Sequence, residues 1–259
     1  MTAAAVPRVP AVLILGGTSE ARELASRLAA RPGLRVVSSL AGRVRDPVLP
    51  AGEVRVGGFG GPDGLQAWLT DQHMSAVIDA THPFAETISA NAATACSRSR
   101  VPLLRVVRPP WLPGDADTWH DARSLAEAAS ILPSLGRRVF LTTGRQDLAT
   151  FAPVRDTWFL IRCVDPPAGP MPPQRQVILA RGPYDAAAEL ALMREHRIDV
   201  LVTKNSGGEL TAGKLAAARD LGIRVVMVRR PQLADVPCCS SAEAAEGWLL
   251  RQLRRSGAA

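Results

Sequence analysis

Short apolar runs alternate with Ala-rich amphipathic stretches along the whole chain. The first run, Val12 to Leu15, has no polar interruption and passes straight into glycines, which reads as a strand buried on both faces. Comparable runs predict strands at 12–16, 35–40, 53–57, 76–81 and 102–107. A second set follows at 137–143, 157–164, 176–181, 199–204 and 224–229. Strands separated by helical patterns predict a parallel α/β arrangement.

The two sets echo each other. AVIDAT at 76–81 matches IDVLVT at 198–203, and Thr81 and Thr203 lie 122 residues apart. VPLLRVVRP at 101–109 matches IRVVMVRRP at 223–231, and Pro109 and Pro231 are again 122 apart. SLAEAA at 124–129 answers SSAEAA at 240–245. The expected architecture is α/β, with two similar Rossmann-like subdomains. Each is a mostly parallel five-stranded sheet with flanking helices, and a ligand cleft lies between them. The expected division is 1–134 for a dinucleotide-binding domain and 135–259 for a substrate domain. The junction is placed at Pro133 to Gly136, and the Pro-rich 108–118 segment reads as a surface loop.

Composition narrows the class. Of 259 residues, 47% are hydrophobic and 4% aromatic, so the cores are built from Ala, Val and Leu. Four cysteines (Cys96, Cys163, Cys238, Cys239) form no CxxC pair and have no His at metal spacing, so no metal site is expected. No stretch is apolar enough to span a bilayer, and the first run reads as a core strand, not a signal peptide. A cytoplasmic chain is expected. The net charge is +7, from 31 Lys and Arg against 24 Asp and Glu. The arginines are scattered and lack interleaved aromatics, so a polyanionic small molecule suits this charge better than nucleic acid.

Chemistry concentrates where strands end. Gly16, Gly17, Thr18 and Ser19 join the first strand to a helix whose free N–H groups and dipole favour phosphate. The usual fingerprint has a glycine where Thr18 stands, and Glu20 would repel a phosphate placed beside it. These residues therefore admit two readings, a dinucleotide site or an ordinary strand-to-helix turn. About 20 residues on, an acid usually holds the ribose 2′-hydroxyl. Here Ser38, Ser39, Leu40, Ala41, Gly42 and Arg43 offer no carboxylate but an arginine, which favours NADPH over NADH.

Three further loops stand out. Thr81 and His82 close a strand in the run Asp79 to Ala85; His82 is either a cofactor contact and proton relay or a hydrogen-bonded turn residue. Thr142, Thr143, Gly144 and Arg145 would suit a carboxylate or phosphate, or form a plain helix cap. Lys204, Asn205, Ser206, Gly207 and Gly208 make an anion nest without Walker A spacing. No hydrolase elbow, zinc-protease motif or paired-carboxylate signature is present, and Tyr184 lacks a lysine four residues on. A reductase built from these parts would rely on positioning and electrostatics.

GGTSEAREL, DATHPFA, TTGR and TKNSGG with Lys214 and Arg219 together resemble the precorrin-6A reductases, in order and over nearly the whole chain. The resemblance implies NADPH-dependent reduction of one C=C bond of precorrin-6A to give precorrin-6B, a step of cobalamin biosynthesis. It implies a monomer-like two-domain enzyme and a tetrapyrrole substrate bearing many carboxylates. Thr143, Gly144, Arg145, Lys204, Asn205 and Ser206 would hold that substrate. The catalytic residue stays unknown, with His82 the best candidate. Three alternatives remain: a cobalt-precorrin-6A reductase, a cofactor-free lyase resembling uroporphyrinogen-III synthase, and a nucleotide-sensing module without turnover.

Overall fold

The computed structural model describes residues 9–42 and 47–257. Arg43 lies outside the described residues. The chain divides into two compact units, 1–108 with 231–259, and 109–230.

In the first unit, β1 (Ala11–Leu15) leads into α1 (Ser19–Ala29), then β2 (Arg35–Leu40) and β3 (Glu53–Val56). After these come α2 (Gly61–Asp71), β4 (Ala76–Asp79), α3 (Glu86–Ser99) and β5 (Leu103–Val106). The second unit holds β6 (Trp119–Ala122), α4 (Leu125–Leu135), β7 (Arg138–Leu141), β8 (Trp158–Cys163) and β9 (Arg175–Leu179). It continues with α5 (Ala186–Glu195), β10 (Val200–Lys204), α6 (Gly213–Asp220) and β11 (Arg224–Val228). The chain then returns to the first unit as β12 (Cys238–Cys239) and α7 (Ala242–Gly257).

All ten expected strands are present. Each sheet is parallel but carries a sixth strand where five were expected. The orders are β12-β5-β4-β1-β2-β3 and β6-β11-β10-β7-β8-β9. The sixth strands are exchanged. β6 follows β5 in sequence yet pairs with β11, and β12 follows β11 yet pairs with β5. Their helices go with them, so α7 packs on α1 and α4 packs against β10 and β11. The expected cut at 134/135 therefore misses both crossings. It falls at the end of α4, inside the second unit, and separates α7 from the sheet it covers.

Period-2 alternation in β1 supplies both faces of its sheet. Val12 and Ile14 pack with Leu24 and Leu28 of α1 and Leu249 of α7. Leu13 and Leu15 pack with Leu65 and Leu69 of α2 and Ala92 of α3. α7 is further fixed by Glu246, whose carboxylate meets Arg27 at 2.7 Å and Arg31 at 2.6 Å on α1. Strand order reverses at β1/β4 in one sheet and at β7/β10 in the other. Ligands of open α/β sheets bind beyond the carboxyl ends of strands at such points.

Candidate active site

In the first unit the β1/β4 reversal brings the Gly-Gly-Thr turn beside the Asp79–Ala85 loop. The Gly16 amide donates to the carbonyl of Ser39 at 2.9 Å, and Gly17 sits at φ +119°, a backbone that side chains rarely adopt. Thr18 caps α1. Its Oγ1 accepts from the Ala21 amide at 3.1 Å and donates to the carbonyl of Ala80 at 2.8 Å. Thr18 thus ties the two loops together, which a glycine at that position could not do.

Beside Thr18, Arg108 Nη1 stands 3.3 Å from both carboxylate oxygens of Glu20. A small depression open to solvent is lined by Thr18, Glu20, Thr81, Pro83, Val106 and Arg108. Burial raises the Glu20 pKa. The Glu20 amide, Arg108 and the Ser19 and Thr18 hydroxyls outweigh it, so the carboxyl stays below its ordinary value. Sequence reasoning missed Arg108. The repeat carried the signal, because Arg230 holds the same place before its crossing proline.

Other expected cofactor residues are distributed differently. Ser38 and Ser39 are enclosed, and Ser38 Oγ has no hydrogen-bond partner among the described residues. The solvent-reached end of β2 thus moves to Ala41 and Gly42. Arg55 Nη1 lies 3.4 Å from Ser39 Oγ and donates to the carbonyl of Gly57 at 2.6 Å, and the guanidinium stacks on Phe59 at 3.8 Å. Thr81 donates its hydroxyl to the buried Asp79 at 2.7 Å, and Ser89 does the same at 2.6 Å. His82 is exposed, and its Nδ1 accepts the Phe84 amide at 3.2 Å. That bond requires the lone pair on Nδ1 and leaves Nε2 to carry the proton of the neutral ring.

In the second unit the β7/β10 reversal gathers the other two loops. Gly144 has φ +92°, and Arg145 approaches Asp165 at 3.9 Å. Thr143 is 7% exposed, and its Oγ1 has no hydrogen-bond partner among the described residues. Lys204 pairs with Asp147, a residue the sequence reading did not single out. Asn205 has a structural task instead of a free amide. It accepts the Trp111 amide at 2.9 Å and donates to the Trp111 carbonyl at 3.0 Å. Trp111 also donates its indole N–H to Gly208 at 3.1 Å, so the Pro-rich segment clasps this loop. Ser206 is buried, and its carbonyl accepts from Arg230 at 3.2 Å. Gly207 is required: a Cβ there would sit 2.2 Å from the Pro109 carbonyl. In the same unit Leu112, Leu179 and Leu210 are 77%, 54% and 48% exposed.

Among the described residues, no group of three His, Cys, Asp or Glu could hold a metal ion, and no helix is long and apolar enough to cross a membrane.

Two doubly wound parallel units, with hydroxyls, cations and glycines at each switch point, are the build of a two-domain Rossmann-like enzyme. The family model described as precorrin-6x reductase CbiJ/CobK matches residues 11–250. The chain belongs to this family and is an oxidoreductase. It is 59% identical to a precorrin-6A reductase of Rhodococcus erythropolis over 222 residues, covering 86% of this chain and 90% of that one. A solved structure of CobK precorrin-6A reductase superposes with TM-score 0.88 at 41% identity, covering 94% of this chain and 97% of that one. A cobalt-precorrin-6A reductase of Salmonella typhimurium is 34% identical over 240 residues, covering 85% and 87%. Membership in a reductase family implies a reduced nicotinamide cofactor. It removes the lyase and the non-catalytic module from the alternatives.

Proposed function

We propose that this enzyme uses NADPH to reduce one C=C bond of precorrin-6A, giving precorrin-6B. The cofactor is assigned to the first unit and the macrocycle to the second. One observation carries the division of labour: the two switch points differ in chemistry. The first unit offers the glycine turn and N-terminal amides of an eleven-residue helix, with Arg108 beside them at a small depression open to solvent. These donors fit a pyrophosphate. The second offers two cations, Lys204 and Arg145, suited to a substrate rimmed with carboxylates.

When bound, the nicotinamide supplies the hydride. The chain's own part is binding and orientation. Gly16–Ser19 and Arg108 hold the diphosphate, and the adenosine side is assigned to Ala41 and Gly42 just after β2, with Arg43 taken from the sequence pattern alone. Lys204 and Arg145 fix substrate carboxylates, and the Trp111–Asn205 clasp holds the Lys204 loop in place. Hydride addition to a conjugated macrocycle leaves an electron-rich carbon that water can protonate. No side chain is therefore required as the acid.

Metal-free precorrin-6A is favoured over the cobalt form, because the 59% identical relative bears the first name and the 34% identical one the second. The test follows NADPH absorbance on adding each substrate to the purified protein. Oxidation with precorrin-6A supports the reading, and failure to oxidise NADPH with either substrate overturns it. Arg43→Ala should weaken NADPH about tenfold and leave NADH nearly unchanged, since a charge-assisted contact is worth about 1.5–3 kcal/mol. Equal losses for both cofactors would refute the 2′-phosphate assignment.

A further inference from the structure

Glu20 sits where the cofactor's phosphates are expected. Its carboxylate takes the donors such a group would use: the Glu20 amide, the Ser19 hydroxyl at 3.1 Å and the Arg108 guanidinium. The guanidinium contact is loose. Arg108 stands 3.3 Å from each oxygen, longer than Arg27–Glu246 at 2.7 Å and Arg98–Asp63 at 2.6 Å and comparable with Arg105–Asp79 at 3.4 Å. Both side chains are mostly enclosed, at 17% and 22% exposure, and both line the depression shared with Thr18 and Thr81. A partly desolvated cation thus holds a carboxylate through long contacts, at the N-terminal end of α1 and beside a depression open to solvent.

We propose that Glu20 is a built-in competitor for the diphosphate of a nicotinamide dinucleotide, and that Arg108 exchanges between the two anions. The inference rests on the assignment of the cofactor to the first unit. When the diphosphate enters, Arg108 gives up the Glu20 carboxylate for the diphosphate, which carries two negative charges against one and accepts bidentate contacts. Glu20 then remains beside a like charge. Its return to Arg108 favours departure of the spent cofactor. The pair therefore limits affinity and speeds release. This gives a function to a residue that looks unfavourable beside a phosphate.

The test measures binding of NADPH and of inorganic pyrophosphate to wild type, Glu20→Gln, Arg108→Gln and the double variant. Unfolding curves confirm that each is folded. Glu20→Gln keeps the shape of the side chain and removes its charge. It should tighten both ligands about two- to fivefold at low salt, with the gain shrinking as salt rises, and NADPH should dissociate more slowly. Arg108→Gln should weaken both ligands about tenfold or more. In the double variant the gain from Glu20→Gln should shrink to the part due to like-charge repulsion, because no guanidinium is left to exchange, and an undiminished gain would overturn the exchange. Unchanged or weaker binding in folded Glu20→Gln, or full affinity in Arg108→Gln, would overturn the exchange while leaving the cofactor reading intact. A wild type that binds NADPH but is not competed by pyrophosphate would also overturn it. A wild type that binds no NADPH would remove both.

Discussion

Thr18 donates its hydroxyl to the carbonyl of Ala80, 2.8 Å away and 62 residues along the chain. The same oxygen accepts the Ala21 amide that starts α1. One side chain therefore caps the helix and pins it to the end of β4. Thr18→Val should lose both bonds, at a cost of about 1–2 kcal/mol for the cap alone, and should also weaken the cofactor. Thr18→Ser should keep most of the stability. Thr18→Gly matches the usual dinucleotide fingerprint better but should lose the tie to Ala80. Denaturant unfolding of the three variants ranks them, and a Val variant as stable as wild type would refute the pin.

Lys204→Ala should raise the Michaelis constant for the macrocycle and leave that for NADPH nearly unchanged. The ammonium stands at the β7/β10 reversal, paired with Asp147. Steady-state kinetics with each substrate varied in turn decides the point. Loss of NADPH affinity with intact substrate binding would mean that the two sites are reversed.

His82→Ala should cost less than about tenfold in rate and leave the pH profile unchanged, against the 10²–10⁴-fold that an acid catalyst contributes. The reason is local. Nδ1 already accepts the Phe84 amide, so protonating it breaks a backbone contact at the entrance to α3. Rates across pH at saturating NADPH give the answer. A thousandfold loss, with a titration near pH 6.5 removed, would make His82 the acid.

Acid should destabilise the fold through Glu246 and Asp117. Burial raises both pKa values, but the hydrogen bonds and charges of Arg31 and Arg27 outweigh it at Glu246. At Asp117 those of Arg219, with the Gly114 amide, outweigh it. Both carboxyls thus titrate below their unfolded values. Their stabilisation is present above the ordinary carboxylate range and is lost as pH falls through the lowered folded pKa. Unfolding free energy measured from neutral pH downward should decline over that window. Glu246→Gln should flatten part of the decline, and an unchanged slope would count against the assignment.

The eight internal strands were legible because burial on both faces leaves an apolar run, as in Ala11–Leu15, and the edge strands β3 and β9 by their short Val- and Ile-bearing runs. β6 and β12 were not. Trp119–Ala122 carries a histidine and an aspartate at a sheet edge, and Cys238–Cys239 is two residues long. The SLAEAA and SSAEAA repeats are both helical, yet similarity along the chain does not say which sheet a helix covers. The exchange of α4 and α7 is a long-range outcome that local pattern does not encode. The loops were found by their glycines, hydroxyls and cations. Arg108, Asp147 and the Trp111 clasp were not, because each becomes meaningful only through a partner distant in sequence: Glu20, Lys204 and Asn205.

The exchanged strands also set the order in which a ribosome can complete the molecule. Residues 109–230 are continuous, so the second unit has all six of its strands while later codons are still being read. The first unit, although begun earlier, must wait for β12 and α7. Until then the Leu24–Leu28 face of α1 lacks the covering Leu249, and Arg27 and Arg31 lack Glu246. A nonsense mutation just before Cys238 would therefore damage the unit at the opposite end of the gene, leaving the neighbouring one whole.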